Sequence, residues 1–181
     1  MVEDCSWGDR RLFVLARLRE RGAELIAHPG GTLLTHLQRV AGSLEHQGAD
    51  ASMIAAGLCH AAYGTAGFPR ALLELSERAL LASWIGSQAE SLVYLYCAFD
   101  RRGWSADSGL PWTLHDRFSG ALVKPPSRVR RALLELTLAN ELDVLAHAQL
   151  SAEDRAELLA LVATCRFSIR SASHQRQETV G

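Results

Sequence analysis

The residues of this chain best suited to chemistry are His36 and His60, which fall on two consecutive predicted helices, followed by Leu-Ala-Asn-Glu-Leu-Asp at residues 138–143 on a later one. An imidazole either gives an electron pair to a cation or carries a proton near neutral pH. Two of them brought together therefore suit a metal centre or an acid/base pair. Asn140 adds an amide, and Asp143 and His147 share its helix face at three- and four-residue spacing. A solvated polar face explains that spacing equally well, and a lone helical histidine is more often a hydrogen-bonded packing residue than a ligand.

Asp100, Arg101 and Arg102 would bring a base and planar anion-binding groups beside the histidines. For Arg102 the simpler reading is a cation complementing a helix C-terminus. Tyr63 and Thr65, just after His60, can hydrogen-bond a ligand from a loop rim, although helix termination at Gly64 accounts for them without one. Trp104, Trp112 and Phe118 would form an aromatic wall, or hold a long loop to the core. His115-Asp116 lies in that loop without helical context, and no metal is placed there.

The elements that must position these groups read as helices punctuated by caps and glycines. Ser6 caps a first helix to about Ile26 with Leu12, Leu15 and Leu18 on one stripe, and His28-Pro29-Gly30-Gly31 ends it. Thr32 caps a second helix carrying Leu33, Leu37, Val40 and Leu44, closed by Gln47-Gly48-Ala49. Asp50 caps a third, whose Ala51, Ala55, Ala56 and Gly57 permit close approach of a neighbour and whose last turn holds His60. After a loop at 65–69, a helix from Ser76 to Ile85 stops at Gly86, and Ser87 with Glu90 forms a capping box opening a helix from Gln88 to Arg101. Residues 103–126 form a long Gly-, Pro- and Trp-bearing segment of the kind used as functional flaps, and a short hairpin fits within it. Ser127 caps a helix to about His147, and Ser151 with Asp154 opens the last, ending near Phe167. About seven helices with little or no sheet predict an all-α bundle, with residues 1–170 as a single domain and 171–181 as a polar, frayed tail.

Composition bounds the partners. A chain of 181 residues, 48% of them hydrophobic, supports one domain with one substantial core. The net charge of -1, from 19 basic and 20 acidic residues, provides no overall field for nucleic acid or an anionic membrane. Cys5, Cys59, Cys97 and Cys165 form no C-x-x-C pair, which argues against a zinc knuckle or disulfide framework and fits a reducing cytoplasm. Without an apolar signal core or a run near the roughly 20 residues of a membrane span, the protein is expected to be cytoplasmic, with a small molecule as partner. Homo-oligomers are left open.

Three stretches resemble the metal-binding framework of the HD superfamily: Thr-Leu-Leu-Thr-His-Leu around His36, Ala-Gly-Leu-Cys-His-Ala-Ala-Tyr-Gly-Thr around His60, and Leu-Thr-Leu-Ala-Asn-Glu-Leu-Asp around Asn140. In motif order the chain is most similar to the hydrolase domain that acts on guanosine tetraphosphate. The likeness covers about residues 30–145, and Tyr63-Gly64-Thr65 with Phe99-Asp100-Arg101 also resembles a small uncharacterised family near that superfamily. The resemblance implies an HD-like fold in which His36, His60 and Asn140 are metal ligands for one divalent ion (Mn, Fe or Zn), or for none. It further implies His36, His60 and Asp100 as catalytic groups and Tyr63, Thr65, Arg101 and Asn140 as substrate contacts. Two departures qualify it: Ala61 stands where the paired aspartate belongs, and Asn140 where the later aspartate belongs, so affinity for a hard cation is expected to fall. The expected function is a small-molecule metabolic enzyme, hydrolase- or lyase-like. The alternative is a catalytically degenerate binding protein without metal.

Overall fold

A computed structural model describes residues 7–100 and 113–178, with side chains to Arg170. Its order is α1 (Trp7–Glu20), a hairpin of β1 (Ala27–His28) and β2 (Gly31–Thr32), α2 (Leu33–His46), α3 (Ala51–Cys59), a single 3-10 turn (Leu75–Glu77), α4 (Arg78–Ile85), α5 (Ser87–Ala98), a second hairpin of β3 (Leu114–His115) and β4 (Leu122–Val123), α6 (Ser127–His147) and α7 (Ala152–Glu178). The all-α single-domain bundle expected from the sequence is what forms, the only sheets among the described residues being those two antiparallel pairs. No described helix is long and apolar enough to cross a membrane.

The core follows from the apolar stripes. Leu33, Leu37, Val40, Ala41 and Leu44 of α2 are fully or almost fully buried against α3. The small residues of α3 let the two helices approach closely. A Cβ on Gly57 would sit 2.5 Å from Leu44 Cδ1, so the packing leaves room for a hydrogen and nothing larger. Thr32 and Asp50 cap α2 and α3 as their residue types predict, accepting from the N–H groups of Thr35 and Met53. Helix α6 lies across α2, with Leu133, Leu134 and Leu136 inward, and α7 packs on α6.

Five features depart from the sequence reading. Helix α1 stops at Glu20, six residues early, because the N–H groups of Gly22 and Ala23 turn back to the carbonyls of Arg19 and Leu18 with Gly22 at φ +80°. The His28-Pro29-Gly30-Gly31 segment is a β-hairpin rather than a simple helix end. Helix α5 ends at Ala98, where buried Phe99 turns extended, so Asp100 lies beyond it. The Ser87/Glu90 capping box does not form. Glu90 turns into the core instead, where it accepts hydrogen bonds from the Tyr63 hydroxyl (3.0 Å) and from Arg78 (2.6 and 2.9 Å). Helix α7 runs past Phe167 to Glu178, since residues 152–178 contain no glycine or proline to stop it. Ser6, Arg101, Trp104 and Trp112 lie outside the described residues.

Candidate functional site

The lower part of α2, the end of α3 and the C-terminal half of α6 bring three polar side chains to one point. His36 Nε2 lies 3.2 Å from His60 Nε2 and 3.1 Å from Asn140 Oδ1. His36 and His60 are buried, with 1% and 2% of their surface exposed. The sequence-predicted trio is thus brought together from elements widely separated along the chain.

The hydrogen bonds on the far sides of these groups decide which atoms face inward. His36 Nδ1 is 2.6 Å from Asp143 Oδ2, so Nδ1–H donates to the carboxylate; Nε2 then turns a lone pair inward when the ring is neutral and donates to Asn140 Oδ1 when it is protonated. His60 Nδ1 donates to the Gly57 carbonyl at 2.8 Å, which likewise leaves its Nε2 a lone pair when neutral. Asn140 Nδ2 donates to Glu141 Oε1 at 3.0 Å, so the amide cannot flip without losing that bond and Oδ1 is the atom presented to His36. With both rings neutral, three electron pairs converge in this buried cluster. Burial holds the His36 imidazole below its ordinary 6.5 even though the Asp143 carboxylate works the other way.

Asp143 is itself held in place. Arg39, one turn along α2 from His36, grips both its carboxylate oxygens from Nε and Nη2, at 2.6 and 2.8 Å. Burial alone would raise the Asp143 carboxyl, but the bonds from Arg39 and His36 outweigh it and hold the group below the usual carboxylate range. The same guanidinium donates to the carbonyls of Pro29 (3.0 Å) and Gly30 (3.2 Å), tying the β1–β2 hairpin to the centre. That hairpin lays His28 over His36, ring centroids 4.0 Å apart and 26° from parallel, with Phe68 edge-on to His28. Desolvation and the neighbouring His36 lower His28 to about 4. The expected face of Asn140, Asp143 and His147 is real: His147 Nδ1 donates to the Asp143 carbonyl at 2.8 Å, and its ring packs against Gly30.

Other predicted site residues stand apart from this cluster. Asp100 is exposed. Tyr63 is buried in the Glu90–Arg78 network rather than placed at a loop rim, and burial together with Glu90 drives its hydroxyl pKa far up. Thr65 builds its own turn, its Oγ1 accepting from the Phe68 N–H at 3.1 Å. Arg101 falls outside the described residues. In the 113–123 hairpin His115 is exposed, whereas Asp116 binds Tyr94 and caps the turn at Phe118 and Ser119. Sequence reasoning missed Arg39 and His28. The signal for Arg39 was its i+3 spacing from His36, whereas His28 carried none beyond its dipeptide with proline.

Among the described residues no three His, Cys, Asp or Glu side chains are grouped to hold a metal ion, so any cation here needs the Asn140 amide as third donor. Two of the three donor separations, 3.2 and 3.1 Å, are compatible with the edge lengths that ligand bonds of about 2.0–2.2 Å give. A cleft of about 670 Å³ opens at the opposite end of α3, between the first turns of α3, α5 and α6, and the histidines do not line it.

Residues 17–101 match the model of a domain of unknown function, DUF6817. That stretch holds His36, Arg39 and His60 but stops short of Asn140 and Asp143. No curated protein and no solved structure matches the chain.

Proposed function

We propose that this chain is a divergent HD-like helical domain in which His36, His60 and Asn140 hold one divalent cation, and that it acts as a hydrolase- or lyase-like enzyme on a small polar metabolite. The observation that carries this reading is the convergence of His36, His60 and Asn140, each oriented by a hydrogen bond on the far side of its group. Facing lone pairs repel, and a positive charge among them removes the repulsion. Burial keeps His36 below its ordinary value, so the ring is held neutral and its nitrogen is available as a donor. Such an ion would supply Lewis acidity and a bound water acidic enough to ionise near neutral pH.

The chain's own residues have separate tasks in this reading. Asp143 fixes the His36 tautomer and raises its basicity, and Arg39 keeps Asp143 ionised. The Gly57 carbonyl does the same for the His60 tautomer, and Glu141 orients the amide.

A second reading, ligand or partner binding without turnover, is favoured by one observation: both imidazoles are buried, at 1% and 2% exposure. Elemental analysis of purified protein beside the His36→Ala/His60→Ala double variant tests the centre. One equivalent of metal in the wild type, absent from the variant, is expected. A wild type that stays below stoichiometry even after incubation with divalent cations would remove the metal and leave acid/base catalysis or binding. Turnover of a panel of phosphate esters, lost in His60→Ala at unchanged melting temperature, separates the enzyme from the binding protein.

A further inference from the structure

We propose that the outer face of α7 is the contact surface of a two-fold symmetric dimer, in which two copies of this chain lay their α7 helices side by side and antiparallel. Helix α7 is apolar on two faces. Its inner face, against α6, buries Val162 and Cys165, with Leu161 and Ile169 partly buried beside them. The opposite face carries a second stripe, Ala152, Ala156, Leu159, Ala160, Ala163 and Phe167, at three- and four-residue steps, and every member of it is exposed. Leu159 and Phe167 leave 51% and 64% of their surface open. A helix on the outside of a bundle is ordinarily polar on its far side. Single apolar residues there need no explanation, whereas a row of them along one line marks an interaction surface.

The charges of the helix decide the occupant and its direction. Residues 152–157 hold Glu153, Asp154 and Glu157 against a single Arg155, while residues 158–170 hold Arg166 and Arg170 and no acid. All of these charged side chains are exposed. An antiparallel second copy sets each acidic end beside the basic end of its partner, whereas a parallel copy would set like ends together. Helix dipoles also attract in the antiparallel arrangement. Ala156, Ala160 and Ala163 let the two backbones approach, and Leu159 and Phe167 supply the apolar area. A lipid surface fits less well, because the acidic first turns would lie against anionic headgroups. The stripe shares no residue with the His36–His60–Asn140 cluster, so this dimer is independent of the function proposed above.

Sedimentation velocity of the full chain over a concentration series tests this. A small helix-on-helix interface predicts a dissociation constant of about 10–100 µM, with the mass doubling across that range. Phe167→Glu should weaken the dimer about 100-fold, because a symmetric interface loses the side chain twice. Glu153→Arg/Glu157→Arg should weaken it about 10-fold. Adding Arg166→Glu/Arg170→Glu to that variant should restore wild-type association, since the reversed ends complement each other again in an antiparallel pair and in no parallel one. Circular dichroism confirms that each variant is folded; should Phe167→Glu unfold, the loss and recovery across the charge variants decide. A wild type that stays monomeric at every concentration overturns the proposal, as does a dimer that folded Phe167→Glu leaves intact. A folded four-fold charge variant that associates no better than the two-fold one overturns the antiparallel pairing. Monomeric protein that co-sediments with phosphatidylserine vesicles, and loses this in Phe167→Glu, assigns the stripe to lipid and overturns the dimer.

Discussion

Asp143 governs the candidate site without touching its inward-facing atoms. By accepting from His36 Nδ1 at 2.6 Å it sets which nitrogen carries the proton, and therefore which one offers a lone pair to His60 and Asn140. Asp143→Asn keeps the shape but replaces an ionised acceptor by a neutral group that can present its N–H. Zn²⁺ affinity measured by calorimetry should fall about 10- to 100-fold, as it does when other outer carboxylates on ligating histidines are removed. An unchanged affinity would mean that His36 does not depend on this bond. The meeting of His36, His60 and Asn140 was legible in the sequence from their places on three apolar helices, although Asn140 stands where the resembled pattern has an aspartate. Arg39 was hidden for a physical reason: an arginine one turn beyond a histidine reads as ordinary helix surface. Its function appears only once α6 brings Asp143 beside it.

Among the elements, the β1–β2 hairpin is the one that the sequence disguised most. His-Pro-Gly-Gly reads as the end of the first helix, yet that helix stops at Glu20 and the segment is a hairpin of its own. That the chain would pair across it, and lay His28 on His36, depends on contacts with α2 and α6 that no local signal contains. Gly30 makes the docking possible: its φ is +74°, and a Cβ there would meet the His147 ring and Cβ at 2.8 Å. Gly30→Ala should destabilise the protein by about 1–3 kcal/mol in urea unfolding and loosen the His28–His36 stack. An unaffected midpoint would mean that the hairpin is not seated on α6. A second element-level test falls on α5, where the expected capping box gave way to burial of Glu90. A charge-assisted pair with Arg78 plus the Tyr63 hydroxyl outcompetes a single cap bond. Glu90→Ala leaves the buried Tyr63 hydroxyl without this acceptor and is expected to cost about 2–3 kcal/mol in the same assay, against a few tenths for loss of an exposed cap.

For the whole molecule, the bundle was readable because amphipathic periodicity and caps are local properties, whereas the concentration of buried ionisable groups at one end of α2 is a property of the assembled fold. It has a consequence for acid stability. Burial with His36 alongside holds His28 at about 4, and burial holds His36 below 6.5, so each takes up its proton more readily in the unfolded chain than in the native one. Stability from these two groups is therefore complete above pH 6.5 and drains away as the pH falls toward about 4. Asp143 and Asp116 act in the same direction over a lower range. Both carboxyls are held below 3.8 by hydrogen bonds that outweigh their burial, so their contribution persists above that pH and is lost only beneath it. Urea midpoints of chelator-stripped protein should accordingly fall between pH 7.5 and 5, above the range in which Asp143 and Asp116 protonate, and fall again below pH 4. In His28→Gln the first decline should be shallower and the second unchanged. A midpoint flat from pH 7.5 to 5 would mean that the histidines are charged or hydrated in the native protein, and the inward-facing lone pairs at the centre would then have to be replaced by a proton shared between His36 and His60.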